Sequence, residues 1–590
     1  MSHRTRKRLP SSKAKLNSSR PPARQPPAIA PHPWRNLVSD SQLSDTDPTE
    51  NDSQDGPWYA GVTRYQWLVL AIASAGWVFD VFEGQLFAVY KTPAMADILQ
   101  VAETDPLVDQ FSNYALAAFM IGGAFGGLVF GMLADRIGRR RSMIYSILVY
   151  SFFTGMHYFA TSAWVIVGLR FFVAMGVGGE WAIAAALVSE VFPKRARAIA
   201  GGIFHASSVL GAVLASLCGM FLALSNWRIA FLIGLVPALL ILWIRSSLKE
   251  SERWEESQST TDSTDKKPGM MSSLPALLGD RRWAGRAFLG LALASIGMGT
   301  YWGVYAWGPE LATDVQKREA ATLSGQELQT HVKDVIAEFV PTSVNKVKLF
   351  QLAAHEIALE AGLDDKGKPL DSAESVSDRV IEKRDLARHQ IALLVETQEL
   401  ESDSNGTANQ QLTTKYREIL KSGIARRLYS RNSNFAYLIM NFTGGLLGLL
   451  AFAPLASIAG RRPAFAFYHL GALIMAPATF YFASSLNETI ILLSVMAFFV
   501  VGMHAGYAIY FPELFPTRLR ATGASFCFNV GRLVAASILI GRVYLRESFT
   551  ATYGASLGLR YAVSTLALLF AVGLVLLIFA PETNKQELPE

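Results

Sequence analysis

The chain has 590 residues, 51% of them hydrophobic and 17% charged, with a formal charge of +6. That balance excludes an ordinary soluble enzyme of this length, and because the apolar residues gather into runs of about 20, a bilayer is the expected solvent. The basic residues sit at the ends of those runs, which speaks against a nucleic-acid surface, and Cys218 and Cys527 lie inside apolar runs, where they offer neither a disulfide framework nor a metal site.

Residues 1–57 are rich in Ser, Pro, Arg and Lys and lack an apolar core, so they are expected to be a disordered cytoplasmic tail and not a signal peptide. Apolar segments follow at 66–89, 113–134, 142–161, 163–187, 199–223 and 228–247, and a second six at 286–309, 432–454, 464–484, 489–511, 521–543 and 557–580. Each is long enough to cross a hydrocarbon core of ~30 Å as a helix. The expected fold is an all-α membrane protein of twelve transmembrane helices in two pseudo-symmetric six-helix bundles. Its parts are a bundle over 58–248, a cytoplasmic linker over 249–285, helix 7 over 286–310, helices 8–12 within 432–585 and a short tail over 586–590.

Orientation follows from Lys and Arg in the short loops. Arg136, Arg139, Arg140 and Arg141 follow the second segment, Lys194, Arg195 and Arg197 the fourth, Arg461 and Arg462 the eighth, and Arg518 and Arg520 the tenth, whereas the opposite loops hold Lys91, Arg228, Arg546 and Arg560. The even-numbered loops and both ends are therefore expected in the cytoplasm, with the protein in the plasma (inner) membrane. Residues 311–431 break the pattern, being polar, with helical periodicity over 345–361 and 377–400. Parity places this insert outside the cytoplasm, as a solvated helical spacer or as a domain for an extracytoplasmic protein partner or for solute capture.

The two halves repeat one another. Gly131-Met-Leu-Ala-Asp135-Arg136-Ile-Gly138-Arg139-Arg140-Arg141 is echoed by Ala456-Ser457-Ile-Ala-Gly460-Arg461-Arg462, and Glu190-Val-Phe-Pro193-Lys-Arg195-Ala-Arg197-Ala by Glu513-Leu-Phe-Pro516-Thr-Arg518-Leu-Arg520-Ala. Gly138 and Glu190 are 52 residues apart and Gly460 and Glu513 are 53, so two motifs keep one register. On these motifs the chain resembles the major facilitator superfamily over nearly all of 58–585 apart from the insert. Gly176-Val-Gly178-Gly179-Glu180-Trp181, Tyr301-Trp302-Gly303, Asn529-Val-Gly531-Arg532 and Pro581-Glu582-Thr583 look like its metabolite:proton symporter and sugar-porter branches. The resemblance implies two bundles rocking about a central site. Asp135, Arg136, Gly138, Arg139, Arg140, Glu180, Glu190, Arg195 and Arg197, with Gly460, Arg461, Glu513, Arg518 and Arg520, then act as the cytoplasmic gate. The second copy has Ser457 where the first has Asp135, so its gate lacks that carboxylate.

Ionisable residues inside apolar helices are costly unless paired or wet, which makes them functional candidates. Asp80 and Glu83, spaced i, i+3, share a face of helix 1. At ~1.5 Å rise per residue Asp80 lies roughly 20 Å from the cytoplasmic entry and Arg170 about 10 Å from the opposite one, similar heights that allow them to pair. Asp80 is expected to carry the proton, with Arg170 as its modulating partner and Glu83 as a second carboxylate or a substrate contact; a static ion pair tying helix 1 to helix 4 is the other reading. Arg532 near mid-membrane invites a substrate carboxylate or a protein acid, with Asn529 on the same face. Tyr301, Trp302 and Tyr507 are candidates to line the cavity, and Trp307 to sit in the interfacial belt. His205 and His504 are read as buried hydrogen-bonded side chains, with a proton relay as the alternative.

The expected function is secondary active transport of a small polar metabolite (an organic, aromatic or sugar-like acid, or a neutral sugar) by proton symport. A solute sensor signalling through 311–431 and a passive uniporter are the alternatives. P-loop, G-x-S-x-G and HExxH patterns are missing from the sequence, so neither an enzyme nor a cofactor is expected. The partners are the solute, the proton and lipid, and the chain is expected to act as a monomer.

Overall fold

A computed structural model of the chain describes residues 57–101, 105–221, 227–259, 272–339, 390, 393, 394, 396, 397, 400, 401 and 408–589. The expected amino-terminal tail, the middle of the linker and the helical periods at 345–361 and over most of 377–400 lie outside the described residues.

Among the described residues there are helices and turns and no strand. In the first half α1 is Arg64–Leu99, α2 Pro106–Ile137, α3 Arg139–Met156 and α4 Ala163–Val191. The fifth span, α5, runs through Lys194–Ala206 and Ser208–Phe221, and α6 is broken into Trp227–Ile233 and Ala238–Ser247 beside Pro237. In the second half α7 is Arg281–Gly303, and α8 joins Arg426–Met440 to Leu446–Ile458 through a π turn at Asn441–Gly445. Next come α9, Arg461–Phe482, and α10, Leu486–Leu514. The eleventh span, α11, starts at Arg520–Ser525, widens into a π turn at Phe526–Val530 and continues over Gly531–Tyr553, and α12 is Ala555–Phe579.

Nine of these runs are long and apolar enough to cross a bilayer on length and composition alone. The other three fall short for local reasons: α3 opens on Arg139, Arg140 and Arg141, α6 is two short pieces, and α11 carries Arg532, Arg542, Arg546 and Glu547. Helix starts are written in the sequence. Thr63 and Gln66 form a capping box on α1, Asp105 precedes Pro106 at the head of α2, and Ser162, Asp280 and Ser485 cap α4, α7 and α10 with their side-chain oxygens.

Packing within the membrane rests on small residues, because lipid supplies little hydrophobic drive to bring helices together. A side chain at Gly122 or Gly126 of α2 would overlap the α4 backbone at Phe171 or Met175. Exposure is inverted relative to a soluble protein: Ile121, Phe125, Phe152 and Leu239 in one half, and Leu447, Leu470, Leu568 and Ile578 in the other, lie on the outer surface. The turns after α2 and α8 are set by Gly138 (φ +101°) and Gly460 (φ +105°), a backbone region that side chains avoid.

The expected insert continues two membrane helices. From α7 the chain passes through a 3-10 turn at Tyr305–Trp307 into helix Gly308–Thr322, then Gly325–Phe339, and returns by Ala408–Lys421 into the start of α8. This extension has its own core of Leu328, Val332, Val335, Tyr416, Ile419 and Leu428. The Gln316 amide donates to the Tyr429 carbonyl at 3.2 Å and to Ser433 Oγ at 3.2 Å, tying the prolonged α7 to the prolonged α8. Trp307 is therefore not an interfacial-belt residue: it is 5% exposed, with the Arg542 guanidinium 5.1 Å from its ring, because the chain stays packed beyond the end of α7.

Candidate functional site

The face carrying the Arg-rich turns, termed the basic face below, closes the two bundles on each other. Arg139 enters α3 just after Gly138, and its buried guanidinium donates to Glu190 through Nε (3.1 Å) and Nη2 (2.7 Å), and to the Ala134 carbonyl through Nη1 (3.0 Å). It also crosses the seam, Nη2 donating to the Thr517 carbonyl at 2.8 Å. Asp135 crosses in the same place, accepting from the Ala521 and Thr522 amides at 3.2 and 2.9 Å and from the Thr522 hydroxyl at 2.6 Å. A carboxylate against the first turn of α11 meets unsatisfied amides and the positive end of the helix dipole. From the other half, Arg520 Nη1 donates to Glu190 Oε1 at 2.9 Å.

The second half repeats the intrabundle part. Arg461 donates to Glu513 at 3.1 and 2.8 Å and to the Ala456 carbonyl at 3.0 Å. It does not repeat the crossing: Ser457, in the place of Asp135, turns back to its own helix at the Ala453 carbonyl (2.9 Å). Arg136 and Arg518 are exposed, Arg140 contributes its amide, and Arg197 is buried with Nε and Nη2 unbonded among the described residues. Asp135→Asn should weaken closure of the basic face by about 1–2 kcal/mol, roughly a 5- to 30-fold shift in the closed-to-open ratio. The check is the rate at which an impermeant thiol reagent labels Ser525→Cys from that face in a cysteine-free background; equal rates with Asp135 and Asn would refute the role.

Two acids of this face carry no role in the sequence reading. Glu250, after α6, accepts from the Arg139 amide at 2.6 Å and the Arg140 amide at 3.2 Å; Glu582, after α12, accepts from the Arg461 and Arg462 amides at 2.9 and 3.0 Å. Each caps the helix that follows a positive-φ glycine. Burial pushes Glu250 above the usual carboxylate range against the pull of its amides, whereas at Glu582 the amides outweigh burial and hold it below that range. The repeat carried the signal, since Glu250-Ser251 and Glu582-Thr583 both follow the sixth helix of a half.

Above the basic face the seam is lined by Gly123, Gly127 and Gly131 of α2, set against Arg532, Asn529 and Ser525 of α11. Asn529 and Arg532 share a face as expected, but the Asn529 amide is taken by the Gly178 carbonyl (2.9 Å) and Ser525 Oγ (3.1 Å). Trp181 of α4 stacks on Phe528 with ring centroids 3.8 Å apart, a second bridge between bundles. His205 Nδ1 accepts from Trp181 Nε1 at 3.2 Å, and His504 Nδ1 donates to the Val500 carbonyl at 3.1 Å.

The expected Asp80–Arg170 pair does not form. Arg170 pairs with Glu83, and its guanidinium lies between the rings of Phe87 and Phe119, 4.3 Å from each; Thr154 Oγ1 adds a 3.3 Å bond to Glu83. Asp80 instead faces Glu180 of α4 and lies in the field of Arg532. Arg532 is partly exposed, rests over Phe528 at 5.0 Å and reaches Gly123 of the other bundle. Tyr507 is fully buried and donates to the Leu293 carbonyl at 3.0 Å, so its hydroxyl is occupied. Tyr301 and Trp302 are partly exposed, Tyr301 stacking on Tyr305 at 4.8 Å and the Trp302 carbonyl accepting from Arg542.

Two pseudo-symmetric helical bundles, closed by charged turns at one face and holding acids and a bridging arginine at mid-membrane, define a secondary carrier of small solutes. Residues 67–325 match the family model of the Major Facilitator Superfamily and residues 410–590 that of Sugar (and other) transporter; the unmatched stretch between them falls in the extension. A putative metabolite transport protein of Haemophilus influenzae is 25% identical over 520 residues, covering 87% of this chain and 97% of its own. The sialic acid transporter NanX of Escherichia coli is 33% identical over 226 residues (38% of this chain), so that the match spans 54% of that relative's length. The cis,cis-muconate transport protein of Acinetobacter baylyi is 24% identical, covering 80% of this chain and 84% of its own. The fold is that of the proton:xylose symporter XylE (TM-score 0.52, 14% identity, 89% of this chain and 98% of that one). It is also that of FucP in its outward conformation (TM-score 0.53, 12% identity, 88% and 99%). The chain belongs to the major facilitator superfamily and is an integral membrane transporter of metabolites, not an enzyme.

Proposed function

We propose that the protein is a proton symporter for a small carboxylate-bearing metabolite, working by alternating access with its basic face in the cytoplasm of the plasma (inner) membrane. The observation that carries this reading is Arg532: a mid-membrane guanidinium, partly exposed and with no hydrogen-bonded partner among the described residues, that reaches across the seam beside a buried acid of the other bundle. A fork of donors in such a place suits a carboxylate held in two bonds. Relatives named for sialic acid and for cis,cis-muconate point to the same class of solute. In this reading Tyr301 and Trp302 line the passage, and Asn529 and Tyr507 hold helices together. Lys and Arg concentrated on one face support its cytoplasmic placement.

The experiment is uptake into liposomes containing the purified chain, with sialic acid, cis,cis-muconate and xylose as probes and an alkaline interior. An acid should accumulate, xylose should not, and a protonophore should abolish the accumulation. Uptake indifferent to the proton gradient would make the protein a uniporter; binding without uptake would make it a receptor.

A further inference from the structure

Among the described residues five buried carboxylate oxygens in the first bundle have no hydrogen-bond donor: Oε2 of Glu83, whose other oxygen is bonded, and both oxygens of Asp80 and of Glu180. Asp80 is 2% exposed and Glu180 0%. The two side chains come from different helices, α1 and α4, and stand within hydrogen-bonding reach of each other. Residue 76 makes the approach possible, because Glu180 Oε1 fills the space that a Cβ at Gly76 would occupy.

Two ionised carboxylates do not persist side by side in an apolar site; one proton held between them removes a charge and turns an orphaned pair of acceptors into a donor and an acceptor. The neighbouring polar groups do not remove the need for it. Glu83 on α1 is held at Oε1 by Arg170 of α4 and Thr154 of α3, and the Arg170 guanidinium already compensates its charge. Tyr150 of α3 has a hydroxyl unbonded among the described residues, and His205 of α5 already accepts from Trp181. Arg532 of α11 belongs to the other bundle and acts on Asp80 through its charge. A pair carrying one proton has one negative charge left, which Arg532 balances.

We infer that Asp80 and Glu180 are a single proton-binding unit, sharing one proton while Arg532 balances them and taking up a second when a substrate anion engages Arg532. This rests on the symport reading above. An anion bound to Arg532 cancels the charge that compensated the pair, so a proton from the medium adds to the remaining carboxylate. When the anion leaves, Arg532 again faces the pair and that proton departs. One monoanion then travels with one proton and no net charge. Glu180 has two parts here: it shares the resting proton, and its charge sets how readily Asp80 holds the second one.

Infrared spectroscopy of the purified protein at neutral pH, without solute, tests the resting state. A protonated-carboxyl C=O stretch is expected in the wild type and in Glu83→Gln, and it should vanish in Glu180→Gln, where Asp80 remains alone with Arg532. Lack of the band in the wild type, or its survival in Glu180→Gln, overturns the inference. Gradient-driven uptake of sialic acid tests the coupling. Glu180→Gln, and Gly76→Ala, which keeps both acids but displaces one, should each move half-maximal uptake about one pH unit to acid, tenfold in proton affinity. Unchanged pH profiles in both variants overturn it as well. Because the infrared measurement needs no solute, its failure is separate from a failure of the symport reading, which would appear as wild-type liposomes that accumulate no acid.

Discussion

Arg532→Ala is expected to lower uptake of a carboxylate substrate by about two orders of magnitude, and Arg532→Lys to recover only a minor part of it. The size follows from the loss of a fork of charge-assisted hydrogen bonds, each worth about 1.5–3 kcal/mol where water is scarce. Lysine restores the charge but not the planar pair of donors. The substitution disturbs little packing, since Arg532 is partly exposed and rests over the Phe528 ring. Liposome uptake at several solute concentrations separates the cases. A change confined to the apparent affinity for acids supports carboxylate binding by Arg532, whereas near-normal uptake by Arg532→Ala would remove it from the substrate site.

The buried Glu83–Arg170 pair should show the second large effect, on stability. Both side chains are almost fully enclosed, at 1% and 2% exposure, and Arg170 is stacked between Phe87 and Phe119. Removing either partner leaves an uncompensated charge in a dry site, so Glu83→Leu or Arg170→Met should each cost about 3–5 kcal/mol. The double substitution removes both charges at once and should lie much nearer the wild type than the two single costs added together. Denaturation midpoints of the four proteins in one detergent provide the cycle. Additive costs would show that the pair is not coupled; a double variant as stable as the wild type that still concentrates solute would confine Glu83 and Arg170 to a structural role.

Much of the fold was legible from residue order. Runs of apolar residues located the spans, and even the three that fail a strict apolarity criterion carry readable causes, such as the arginines at the head of α3. The paired motifs around Gly138 and Gly460 located both sharp turns, and both glycines adopt positive φ. The site was less legible. Glu83 and Asp80 lie three residues apart, about 4.5 Å along a helix, so an argument from depth cannot choose which one meets Arg170. Lateral packing chose: Thr154 of α3 bonds Glu83 and the rings of Phe87 and Phe119 hold the Arg170 guanidinium that meets it, while Glu180 fills the space over Gly76 and faces Asp80. Asn529 was readable as a neighbour of Arg532, but its bond to the Gly178 carbonyl depends on how closely α4 and α11 approach.

The linear chain by itself determined the class of protein, the number of membrane crossings, the internal duplication and the identity of the ionisable residues placed in lipid-like surroundings. These follow from transfer energies and local backbone rules, which act on stretches of neighbouring residues. Tertiary structure alone decided which charges meet: Glu83 with Arg170, Asp80 with Glu180, Asp135 with the head of α11. It also decided that the described parts of the polar stretch after α7 prolong the membrane helices around a core of their own. Partners that lie far apart in sequence are selected by helix rotation and close approach, and at mid-membrane, where an unpaired charge is most costly, that selection sets what the site can bind.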